Sequence, residues 1–183
     1  MRFKKSRGGG VRADLDAVEA DVLSAVAADL LELLGEEDDA DPDPLAALVG
    51  LSDGPVDPPE DPALARLLPD AYGDDDQAAT EFRRYTEGDL RAGKRASAGT
   101  VLATLAPLTG TGGRLLLDRD EADAWLGCLN DLRLVLGTRL DVTEETELDP
   151  RDDDPRAQAM QVYGWLGWLQ ESLLSCLDPR SSA

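Results

Sequence analysis

The chain has 183 residues, 38 acidic and 18 basic, giving a formal charge of -20, and it contains no histidine. That charge argues against non-specific attraction to nucleic acid or anionic membrane, and the missing histidine removes the Ser–His and Cys–His pairings of nucleophilic catalysis and the usual pH switch. Apolar residues make up 42% and aromatics only 4%, so leucine and alanine carry the core, which fits a helical domain and not a disordered chain.

The N-terminus carries basic residues without an apolar h-region, so it does not read as a secretory signal, and no apolar run reaches the ~18–20 residues of a membrane span. The expected compartment is the cytoplasm. Residues 1–15 read as a short β-hairpin, with Arg2-Phe3-Lys4-Lys5 and Val11 to Leu15 flanking Gly8-Gly9-Gly10. All five charged residues through Arg12 are basic. Two readings stand: a solvated edge hairpin whose lysines block edge pairing, or a surface for a partner.

Asp16 reads as the N-cap of an amphipathic helix. Val18, Val22, Leu23, Val26, Leu30, Leu33 and Leu34 repeat at helical spacing up to Gly35. Residues 36–62 then hold ten acids and six prolines, an acidic loop that no single regular element accommodates. Within it, Pro44 to Leu51 suits a short helical turn. Pro62 to Pro69 suits a second short helix with Leu64, Leu67 and Leu68 inward.

A long helical stretch begins at Asp74, marked by Phe82, Tyr85, Leu90, Val101, Leu102 and Leu105, with a kink or break expected around Gly88, Gly93 and Gly99. Arg83, Arg84, Arg91, Lys94 and Arg95 make it locally basic. After a turn at Thr109 to Gly113, Arg114 to Leu117 reads as a third strand able to pair with the hairpin. Asp118 and Glu121 then form a capping-box pattern ahead of a helix bearing Trp125, Leu129, Leu132, Leu136 and Leu140. A second acidic loop, 141–154, holds eight acids and one arginine. The last helix runs from near Pro155 to near Leu177. It is apolar on more than one face, as a covered central helix or as one whose Trp165 and Trp168 meet a partner. The fold class is mainly α: a single domain over 1–183, a bundle of about five helices with a small antiparallel β-element made of the hairpin and the strand near 114–117.

Chemistry is thin. Carboxylates are abundant, but acid–base hydrolysis needs two in a shaped, partly dry cleft, and most of these cluster in loops. Asp39, Asp41 and Asp43 resemble the start of a calcium loop, yet Pro44 and Gly50 occupy the positions that need glycine and glutamate. The glycine runs at 8–10 and 110–113 lack the phosphate-loop pattern and read as turns. A Ser–Lys dyad has only Lys4, Lys5 and Lys94 to draw on. The basic residues at 83–95 are interleaved with Glu81, Glu87 and Asp89 and the chain's overall charge repels DNA, so they suit pairing with the chain's own acidic loops better than DNA. Cys128 and Cys176 form no metal or disulfide pattern. An antiparallel hairpin centred near 148 sets Cys128 opposite residue 168, about 12 Å along the axis from Cys176, so both read as buried, inert thiols.

Several stretches are similar to an actinobacterial family, formerly a domain of unknown function and named for the oxidative stress transcriptional regulator AosR. They are Pro58 to Tyr72, Glu81 to Glu87, Trp125 to Leu140 and Tyr163 to Glu171, and the likeness covers nearly the whole chain. The resemblance implies a non-enzymatic regulator that works with a sigma factor of RNA polymerase, and a redox trigger built on a CxxxC disulfide. This chain departs there: Ala124 and Leu132 flank Cys128 at that spacing, and Ser172 and Arg180 flank Cys176. The expectations are therefore a regulator without catalytic or metal residues or a cofactor, binding a protein partner such as a sigma factor, with no direct nucleic-acid or membrane contact. Arg83, Arg84, Trp165 and Trp168 are candidates for partner contact, and Cys128 and Cys176 for redox response. An adaptor in protein quality control, or a carboxylate-based enzyme, are the alternatives.

Overall fold

The computed structural model describes residues 1–6, 9–35, 57–69, 71, 75–143, 145–146 and 154–178. Most of the acidic loops, and the helical turn expected at Pro44 to Leu51, lie outside the described residues. Among those described, the elements run β1 (Lys4–Lys5), β2 (Val11–Leu15), α1 (Ala17–Leu34), α2 (Pro62–Leu67), α3 (Asp76–Leu105), β3 (Gly113–Leu117), α4 (Arg119–Arg139) and α5 (Ala157–Leu177). The architecture is mainly α with a three-stranded antiparallel sheet in the order β1-β2-β3, as the sequence pattern predicts. No helix among the described residues is long and apolar enough to cross a membrane.

Local chemistry sets the boundaries. Asp16 and Asp118 each accept the backbone N–H three residues on, from Glu19 at 2.8 Å and Glu121 at 2.9 Å. Each glutamate answers by accepting the cap's own N–H, completing two capping boxes at the starts of α1 and α4. Asp61 caps α2, its Oδ1 accepting from Ala63 and Leu64. The glycine-rich turns bring backbones together: a Cβ on Gly112, at φ +67, would sit 2.7 Å from the Leu15 carbonyl oxygen.

One cluster of buried side chains joins the sheet to all five helices. The inner sheet face supplies Val11, Ala13, Leu15, Leu115 and Leu117, and Phe3 meets Trp125 edge-on at 5.7 Å between ring centroids. The Trp125 indole N–H donates to Thr104 Oγ1 at 2.9 Å, which ties α4 to α3 while keeping a buried donor satisfied.

Three expectations are corrected. The helix after Asp75 runs unbroken for 30 residues across all three glycines. Its markers Phe82, Tyr85 and Leu90 are exposed, and the core takes Ala79, Ala98, Val101 and Leu105 from it. In α1 the buried stripe is Ala20, Leu23, Ala27, Leu30 and Leu34, and Val18 is 69% exposed. Small alanines let neighbouring helix axes come close, so packing selects a stripe that a count of large apolar residues does not.

Candidate functional site

The basic strip on α3 turns inward. Glu87 is buried and accepts from Arg91 Nη2 at 2.6 Å. Arg83, also buried, lies against it with Nε 3.6 Å from Oε2. Arg91 Nη1 also donates to the Leu34 carbonyl, and Arg95 Nη1 to the Leu31 carbonyl at 3.3 Å. Those carbonyls end α1, whose last turn has no base of its own, so α3 lends two cations to the negative end of that helix dipole. Further along, Lys94 Nζ meets the buried Asp131 of α4 at 2.7 Å. The strip thus pairs with Glu87, Asp131 and the end of α1.

The sheet carries the second basic cluster, and it faces outward. Lys4 stands opposite Arg12 across β1 and β2, and Arg12 stands opposite Leu116 across β2 and β3. All three are exposed. Beside them Arg114 Nε pairs with Asp14 at 3.1 Å.

The helices α4 and α5 pack antiparallel, with Arg133 at the crossing. Its guanidinium lies 5.3 Å from the centre of the Tyr163 ring and donates to Gln170 Oε1 at 2.6 Å. A Cβ on Gly137 would meet Tyr163, and one on Gly167 would meet Arg133. That register sets Cys128 opposite Ser172, not residue 168, which brings it to one helical turn from Cys176. Both thiols are unbridged. Burial pushes the Cys128 thiol up to about 12, with the Asp131 carboxylate adding to the shift. The half-buried Cys176 is also raised by burial, opposed by the charges of Lys5 and Arg2.

Of the aromatic candidates, Trp165 is half-buried against the core and Trp168 is 44% exposed. Arg84 lies beside Arg83 on α3, half-buried. The structure thus separates the proposed contact residues: Arg83 sits in the interior of the α3 cluster, whereas Trp168 opens to solvent on α5. A groove between α4 and α5 is lined by Leu126, Leu174 and Leu177 together with the exposed Arg119, Asp123, Glu171 and Asp178, and Arg119 pairs there with Asp123 at 3.0 Å.

Residues 1–177 match the family described as domain of unknown function DUF2017. The chain belongs to that family. It is similar to the oxidative stress regulator AosR of Mycobacterium tuberculosis and of Mycobacterium bovis, 34% identical over 96% of this chain and 86% of each relative. It is likewise similar to the putative oxidative stress regulator AosR of Mycobacterium leprae, at 33% identity over the same shares. No solved structure gives a significant match.

Two side-chain arrangements in this DUF2017 chain were not read from the sequence. Glu87 and Asp131 are buried acids, and the sequence carries a signal for the first: Ala79, Arg83, Glu87 and Arg91 recur every four residues, in line with the buried positions further along α3. The outward row Lys4, Arg12 and Leu116 follows from strand alternation once the register is known.

Proposed function

We propose that this chain is a non-enzymatic cytoplasmic regulator of the oxidative stress response, acting through contact with a protein of the transcription machinery, with a sigma factor or RNA polymerase as the expected partner. The observation that carries the reading is the 34% identity over 96% of the chain to proteins named oxidative stress regulators. Two features agree with it. Glu87 pairs within α3 with Arg91, which also donates to the carbonyl end of α1, and Asp131 pairs across helices with Lys94, so the charges of both buried carboxylates serve the fold. The acids at 36–62 and 141–154 would raise the encounter rate with a basic partner surface, in a salt-dependent way.

The thiols bear on how an oxidant would be sensed. The thiolate is the reactive form, and burial holds Cys128 in its thiol form at neutral pH. Any oxidant response in this chain therefore runs through something other than a CxxxC disulfide at Cys128.

The test is affinity purification of the tagged chain from its native cells, with and without oxidant, beside an acidic control protein of similar charge. Recovery of a sigma factor or polymerase subunits above the control supports the reading. Recovery of protease components instead favours the quality-control adaptor, and recovery of only unrelated proteins at low salt rejects both.

A further inference from the structure

The outer sheet face holds a like-charge pair with no counter-ion among the described residues. Lys4 and Arg12 are directly opposite one another, and neither side chain has an ion pair or hydrogen bond among the described residues. Directly opposed like charges destabilise a strand pair. Edge protection explains neither residue. Arg12 lies on the central strand, and β1 already leans on α5 through Phe3 N–H to Ser172 Oγ at 3.4 Å and Lys5 Nζ to the Asp178 carbonyl at 3.1 Å. A strand covered in this way does not depend on a lysine to repel other strands.

The same cross-strand row continues to Leu116, which is 61% exposed. With neighbouring strands roughly 4.8 Å apart, the row spans about 10 Å and reads cation, cation, apolar. The adjoining row is neutral, since Asp14 and Arg114 pair with each other.

We infer that the row Lys4, Arg12 and Leu116 is a docking surface for a short acidic polypeptide segment that carries an apolar side chain next to its carboxylates. The inference rests on the reading that this chain works by protein contact. Charge complementarity selects the carboxylates: two of them relieve the Lys4–Arg12 repulsion, and the apolar side chain takes Leu116 out of water. A nucleic-acid backbone would engage the cations and leave Leu116 wet. It would also extend a dense line of phosphates across a chain of charge -20, whereas a short segment brings only a few charges.

The probe is a labelled short peptide of alternating glutamate and leucine, titrated against the full chain by fluorescence anisotropy. An all-glutamate peptide of equal length and a labelled duplex DNA serve as comparisons. Saturable binding of the alternating peptide is expected, weakened about tenfold or more by Lys4→Glu with Arg12→Glu. Leu116→Ser should weaken the alternating peptide several-fold and leave the all-glutamate peptide unaffected. A thermal midpoint equal to the parent's confirms that the variants fold. No binding, binding indifferent to charge reversal, or tighter binding of DNA overturns the proposal. Native-cell purification with the charge-reversed chain separates the two claims. If its partner recovery matches the parent's, this surface is refuted and the protein-contact reading stands. If the parent itself recovers no specific partner, that reading fails.

Discussion

Two basic clusters in one acidic chain have opposite fates. On α3, Arg91, Lys94 and Arg95 reach inward to carboxylates and to the carbonyls that end α1. On the sheet, Lys4 and Arg12 reach into solvent and face each other. Both clusters look alike as runs of bases in an acidic sequence. What separates them is geometry: a helix with a core-facing stripe can carry a charge into contact with a neighbouring helix, whereas among the described residues no second layer lies on the outer sheet face to supply counter-ions to Lys4 and Arg12. A cluster of like charge is therefore uninformative about binding until its partners are known.

The sharpest way to break this contrast is to orphan a buried charge. Lys94→Met leaves the Asp131 carboxylate buried without its partner, and the expected loss is about 3 kcal/mol in urea unfolding. Adding Asp131→Leu should restore most of it, because the pair then disappears as a unit; a double variant no better than the single one would show that the two charges act separately. Arg91→Met removes a charged hydrogen bond to Glu87 and one to the Leu34 carbonyl, for an expected loss of about 2 kcal/mol.

Cys128 reports on the same interface, since Asp131 adds to its shift. Its folded pKa lies above the ordinary thiol value of 9.0, at about 12. The stabilisation it carries is thus full below about pH 9 and is lost as pH rises toward about 12. Relative to Cys128→Ala, the parent should lose about 1 kcal/mol between pH 8 and pH 10, and equal slopes would contradict the assignment. The smallest effect belongs to the sheet. Lys4→Gln or Arg12→Gln alone should move stability by no more than about 0.5 kcal/mol, and a larger loss in thermal unfolding would mean that these cations hold the fold.

Much of the fold is legible from the sequence because its signals are local. Asp16 and Asp118, each with a glutamate three residues on, announce helix starts through bonds that need no tertiary partner. The turn at Thr109 to Gly113 and the run that follows announce β3. The misread parts depend on distant contacts. Gly88, Gly93 and Gly99 look like helix breakers, but each faces open space and costs only about 1 kcal/mol of propensity, which the packing and ion pairs along α3 outweigh. Val18 and Phe82 look like core residues, but the buried stripes run through Ala20 and Leu23 in α1 and through Ala79, Arg83 and Glu87 in α3. For the candidate residues, sequence could name Arg83 as a base without showing that it lies beside Glu87 in the interior. It could name Lys4 and Arg12 without showing that they stand opposite each other.

Equilibrium unfolding of two matched double variants tests the central contrast most directly. Arg91→Gln with Lys94→Gln and Lys4→Gln with Arg12→Gln each remove two positive charges, so any general effect of raising the net negative charge is similar in both. The α3 pair should lose several kcal/mol, while the sheet pair stays within about 0.5 kcal/mol of the parent. Similar losses in the two would contradict the division of the bases into one set that holds the fold and one left for contact.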